Sequence, residues 1–157
     1  MSTYTTDAMS IAKWFVDRAN KEFVDEDGVS EGLTNLKLQK LLYFAQAVSL
    51  SLKDQPLFND KIEAWKFGPV IPVVYHALKE FENAPVKITS ATQEISPEVA
   101  SLLENVWSVY GKFSAHELVN ITHNHLPWKE VYLSGGKNNE ITAESIKKYY
   151  ADYYHLA

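Results

Sequence analysis

Cysteine is absent from the 157 residues of this chain, which excludes disulfide frameworks, thiolate nucleophiles and cysteine-built zinc sites. Arginine is nearly absent as well. Arg18 is the single arginine among 15 basic residues, and 20 acidic residues bring the net charge to -5. Proteins that read nucleic-acid grooves lean on arginine forks and a basic face, so nucleic acid is disfavoured as a partner. Long apolar runs are missing too. The longest, Leu41–Leu52, is interrupted by Gln46, Ser49 and Ser51 and is too short to span a bilayer. Met1–Ser10 has no basic stretch leading into an apolar one, the pattern of a secretory signal. Together these absences predict a cytoplasmic, soluble protein that makes no membrane contact.

What is present describes one globular domain over residues 1–157. Hydrophobic residues make up 46% and charged residues 22%, enough for a real core and too ordinary for disorder or a fibrous architecture. Helical spacing dominates. Thr6 or Asp7 can cap a first helix whose apolar positions are Ala8, Ile11, Ala12, Phe15, Ala19 and Phe23. A second helix follows Thr34 and carries two apolar stripes on neighbouring faces. One is Leu38, Leu41, Leu42, Ala45, Val48 and Leu52; the other is Leu36, Tyr43, Phe44, Ala47 and Leu50. A helix apolar around so much of its circumference is surrounded by others, which makes it the central one.

Beyond Pro56, Lys61–Phe67 alternates in the manner of a short strand, with Gly68-Pro69 as its stop. Pro72 suits the first turn of a third helix that sends Val74, Ala77, Leu78 and Phe81 inward. Val86-Lys87-Ile88 is the expected strand partner of Lys61–Phe67. Ser96-Pro97-Glu98 opens a fourth helix with Val99, Leu102, Leu103, Val106 and Tyr110 inside, closed by Gly111. Ser114 and Glu117 form a capping box for the next, stapled by Phe113 and Leu118. Pro127 is expected to end that helix, with one further short turn over Pro127–Leu133. A last helix runs from about Ala143 with Ile146, Tyr149, Tyr150 and Tyr153 as its apolar side. The fold class is mainly α: a bundle of about five to seven helices with a small antiparallel β-sheet.

Partial motifs for chemistry fail on their mechanics. His116-Glu117 opens like a zinc-protease helix, but Asn120 stands where the second imidazole must be. His123 and His125 would point about 200° apart on a continuing helix, so a metal site built on His116, His123 and His125 is only a weak alternative to imidazoles at a helix end. Asp25-Glu26-Asp27-Gly28 has the wrong order for a calcium loop. Ser134-Gly135-Gly136-Lys137 lacks the first glycine and the Ser/Thr of a phosphate loop. No serine sits in a G-x-S-x-G elbow. No cofactor is expected, and the chain reads as a non-enzyme. The aromatic content of 13%, with four Trp and nine Tyr, exceeds what one inward stripe per helix requires. Exposed Tyr and Trp make good protein-binding surface.

Three segments in order carry a family resemblance. Leu33–Gln46, Glu63–Tyr75 and Thr122–Trp128, with the sequences LTNLKLQKLLYFAQ, EAWKFGPVIPVVY and THNHLPW, resemble the signatures of the Panacea antitoxin domain family, the SocA- and GepA-like phage-associated proteins. The resemblance covers about residues 5–155. It implies a non-enzymatic antitoxin that neutralises a cognate, genetically adjacent protein toxin through direct contact. It leaves open an adaptor role in which the toxin is handed to a cellular protease. The oligomeric state is not legible. Trp65, Gly68 and Pro69 read as a strand-to-helix corner, and Pro127-Trp128 as a helix stop with an anchor. Lys37, Lys40, Tyr43, Trp65, Phe67 and Tyr154 are the candidate partner-binding residues, because lysines on an otherwise apolar helix and surplus aromatics mark a contact edge.

Overall fold

The computed structural model describes residues 3–22, 32–90, 92–135 and 138–154. Phe23, the acidic turn at Asp25–Gly28, and Gly136-Lys137 lie outside them. Asp7 caps the first helix: its carboxylate accepts from the Ser10 N–H at 2.8 Å and the Ser10 hydroxyl at 2.7 Å. That helix, α1, spans Ala8–Glu22 and buries Ala8, Ile11, Ala12, Phe15 and Ala19. Thr34 accepts from the Lys37 N–H to start α2, Asn35–Lys53. This helix is buried at almost every position from Leu38 to Leu50 and packs against α1, α3 (Pro72–Leu78), α4 (Pro97–Tyr110), α5 (Ala115–His123) and α7 (Ala143–Tyr150).

A central helix must also satisfy the irregular backbone around it, since buried peptide groups without partners are costly. The polar residues of α2 do this. Gln46 accepts from the Leu57 N–H at 2.8 Å and donates to the Phe58 carbonyl at 2.8 Å. Ser49 donates to the Gln55 carbonyl. Gln39 accepts from the Ile71 N–H at 2.8 Å. The segments on either side of the first strand are therefore pinned to α2 by side chains within its apolar stripes.

The sheet has three antiparallel strands in the order β2-β1-β3: β1 is Ile62–Trp65, β2 is Gly68–Val70 and β3 is Glu140–Ile141. Two expectations are corrected here. Gly68-Pro69 does not stop the strand. It forms the returning strand, with Trp65 opposite Gly68 and Ala64 opposite Pro69. Gly68 at φ +108 makes this reversal possible, a conformation that side chains with a Cβ rarely adopt. Pro69, lacking an N–H, sits on an edge strand, where proline is tolerated. Val86-Lys87-Ile88 consequently does not pair with β1; Val86 donates to the Leu33 carbonyl at 2.7 Å instead.

Ala77 is exposed rather than inward, because α3 is one short segment that buries only Val74 and Leu78. The fifth helix stops at His123, before Pro127. Pro127 lies in the first turn of a separate helix, α6, Leu126–Leu133, where its missing N–H costs nothing. The remaining starts follow the sequence. Ser96 caps α4, the Ser114–Glu117 box opens α5, and Thr142 caps α7. Among the described residues no helix is long and apolar enough to cross a membrane.

Candidate functional site

The three signature segments converge on the hairpin formed by β1 and β2. Lys40 reaches it from α2: its side chain is fully buried, and Nζ donates to the Pro69 carbonyl at 2.9 Å. No carboxylate pairs with this amine among the described residues. Burial alone pulls its pKa down from 10.5 to about 7. Thr122, buried on α5, donates to the Val119 carbonyl. Gly68 closes over both side chains so tightly that a Cβ there would lie 2.8 Å from Thr122 Oγ1 and 2.9 Å from Lys40 Cε. Gly68→Ala is therefore expected to cost about 1–3 kcal/mol from overpacking, with backbone strain added. An unchanged urea midpoint would show that the corner tolerates a methyl group.

From the opposite side, Trp128 of α6 donates its indole N–H to the Trp65 carbonyl at 2.7 Å. Its ring stacks on His123 (centroids 3.9 Å apart) and on Tyr132 (4.7 Å). His123 Nε2 is buried without a hydrogen-bond partner. Burial lowers the pKa of this imidazole, a hydrogen bond to the Lys66 backbone opposes the shift, and the Lys40 charge adds to it. The Trp65 ring meets Tyr75 and His76 at 5.0 and 5.9 Å, and its N–H is held by Glu63 at 2.9 Å. Between these two clamps the hairpin tip, Lys66-Phe67, projects outward with Phe67 57% exposed.

A second cluster ties the end of α7 to α2. The Tyr150 hydroxyl lies 2.6 Å from His125 Nδ1 and 3.1 Å from the Tyr43 hydroxyl. Tyr110 and Tyr154 share a hydrogen bond of 2.6 Å, and Phe44 stacks on Tyr110 at 4.1 Å. Burial raises all four phenols, Tyr110 to about 12, and lowers His125. Beside this cluster, α2 and α4 frame an open groove of about 510 Å³ over Val48, Leu52, Leu102 and Val106, with Tyr154 on its wall.

The candidate partner residues divide accordingly. Lys40 and Tyr43 are both completely enclosed, so neither lies on the surface of the folded chain. Lys37 is half-buried, donating to the Gly111 carbonyl at 2.6 Å and lying 5.8 Å from the Trp107 ring. Trp65 and Tyr154 are half-buried, and Phe67 stands clear of the surface. His116 is exposed on the first turn of α5, away from the stacked His123 and the Tyr150-bound His125. Among the described residues no three His, Cys, Asp or Glu side chains are grouped to hold a metal. Sequence reasoning missed the groove and the clasp made by Gln39, Lys40 and Thr122. The available signal for the groove was Val109, an apolar residue off the inward stripe of α4 and 50% exposed.

The fold thus defines a mainly α domain with a minor antiparallel sheet, in which α2 and the Thr122–Trp128 segment lock one hairpin in place. The chain belongs to the SocA-like antitoxin family with the Panacea domain, whose model matches residues 38–129. That span contains Lys40, Gly68-Pro69 and Thr122–Trp128. The chain is also similar to Antitoxin SocA of Caulobacter vibrioides (strain NA1000 / CB15N), at 33% identity over 147 residues, 85% of this chain and 74% of the relative. No solved structure matches it.

Proposed function

We propose that this chain is a non-enzymatic antitoxin that neutralises a cognate protein toxin, encoded beside it, by direct binding in the cytoplasm. The observation that carries this reading is the family membership, supported by a relative named as an antitoxin that aligns with most of the chain. The physical arrangement is compatible with it. His76, His123 and His125 are engaged with aromatic partners, and the aromatic surplus leaves Phe67, Trp65 and Tyr154 at or near the surface, where such residues dominate interface energetics.

The test is growth rescue. Inducing the adjacent open reading frame alone in a heterologous host is expected to arrest growth, and co-expressing this chain is expected to restore it. Direct masking further requires that the two proteins co-purify as a stoichiometric complex and that the toxin persists at its normal half-life. Rescue accompanied by a shortened, protease-dependent half-life would replace masking with delivery to a protease. A harmless neighbour, or one still toxic in the presence of this chain, would remove the antitoxin reading.

A further inference from the structure

We propose that the hairpin tip Lys66-Phe67 is the anchor by which this chain seats itself in its toxin, and that the socket it enters is an apolar pocket with carboxylates at its rim. This rests on the antitoxin reading and specifies the surface and the partner chemistry for it. The first argument is that the fold does not ask for Phe67. Tight turns favour glycine, asparagine and aspartate, whereas this position carries a phenyl ring left 57% exposed, forgoing the burial on which large apolar side chains depend.

The second argument is the bracing beneath it. Both strands flanking the tip have a carbonyl gripped by a buried side chain: Trp65 by Trp128 at 2.7 Å, Pro69 by Lys40 at 2.9 Å. A buried amine without a counter-charge is a costly way to hold one carbonyl. What it provides is a hairpin that does not have to be ordered on association, so a side chain at its tip binds with little entropy to lose. The third argument is charge. Lys66 Nζ lies 5.5 Å from the Phe67 ring centroid and is exposed, while Glu63, the carboxylate on β1, is held by the Trp65 indole. The tip therefore presents an aromatic ring beside a cation on a chain of net charge -5, and its complement is an apolar pocket edged by acids.

The experiment measures the affinity of the purified chain for the purified product of the adjacent open reading frame, by calorimetry at two salt concentrations. Phe67→Ala is expected to weaken Kd at least about 30-fold, the range of interface anchors. Lys66→Glu should weaken it roughly tenfold, with a smaller loss at high salt, and Lys66→Arg should leave it nearly unchanged. Val109→Asp, on the rim of the groove between α2 and α4, should stay within about twofold of wild type. Urea midpoints close to wild type confirm that these exposed substitutions leave the fold intact. If Phe67→Ala and Lys66→Glu bind within about twofold of wild type, or if Val109→Asp alone abolishes binding, the tip is not the anchor although the antitoxin reading stands. If the wild-type chain fails to bind at all, that reading falls and the proposal falls with it.

Discussion

Replacing Trp128 by alanine is expected to lower the unfolding free energy by about 3–5 kcal/mol, the range for a buried tryptophan cut to a methyl group. Trp128 is 5% exposed, lies between His123 and Tyr132, and supplies the donor that satisfies the Trp65 carbonyl. Its removal opens a cavity on one side of the hairpin and strands a peptide oxygen at the same time. Domains of this size are stable by roughly 5–15 kcal/mol, so the loss is a large share of the total. Trp128→Phe separates the two effects. It keeps much of the stack and deletes the N–H, for an expected cost nearer 1 kcal/mol from the lost bond, plus whatever volume is not refilled. Urea unfolding of the three proteins is the measurement. A Trp128→Ala midpoint within about 1 kcal/mol of wild type would mean that the α6 side of the clamp contributes little.

The stability of this protein should rise with pH well past neutrality, because of Lys40. Its pKa falls from 10.5 to about 7 on burial, so between those values the unfolded chain holds a proton that the folded chain does not. Stability then increases with pH at up to about 1.4 kcal/mol per unit for this one proton. The buried imidazoles act in the same direction at lower pH. His123 and His125 are lowered from 6.5, so the unfolded chain takes up protons first as the solution is acidified. Above about pH 10 the sign reverses. The buried phenols of Tyr43 and Tyr110, raised from 10.0, retain protons that the unfolded chain gives up, and folding weakens. The expected profile climbs from neutral pH to a maximum near pH 10. Lys40→Met is expected to flatten the limb between pH 7 and 10, at the cost of the bond to the Pro69 carbonyl. A variant with the same slope as wild type would place the titrating group elsewhere.

The helices were legible because their signals are local. Thr34, Ser96 and the Ser114–Glu117 box are read from neighbouring residues and do in the structure what their spacing implies. The central place of α2 followed from an apolar pattern too wide for a single contact. What escaped depends on contacts distant in sequence. Gly68-Pro69 looks like a stop when read alone, and becomes a strand because α2 and α5 hold it from below. Lys40 looks like a contact residue on an apolar helix, since nothing nearby in sequence shows that its amine meets a carbonyl 29 positions later. The same holds for Tyr43, whose hydroxyl partner lies 107 residues away. The candidate site was thus readable as a set of segments, while the division of their residues between brace and surface was not.

The Tyr43–Tyr150 contact has a consequence for the order in which the molecule is made. On the ribosome α2 is made well before α7, the helix that covers part of its surface. Until α7 follows, the apolar side of α2 is open to chaperones, to proteases and to other nascent chains. An interrupted translation product lacking α7 would keep the helix but not its cover, and cells clear such exposed chains quickly. The abundance of intact protein would then fall sooner than its message when elongation slows, making the supply of folded molecules sensitive to the pace of translation itself.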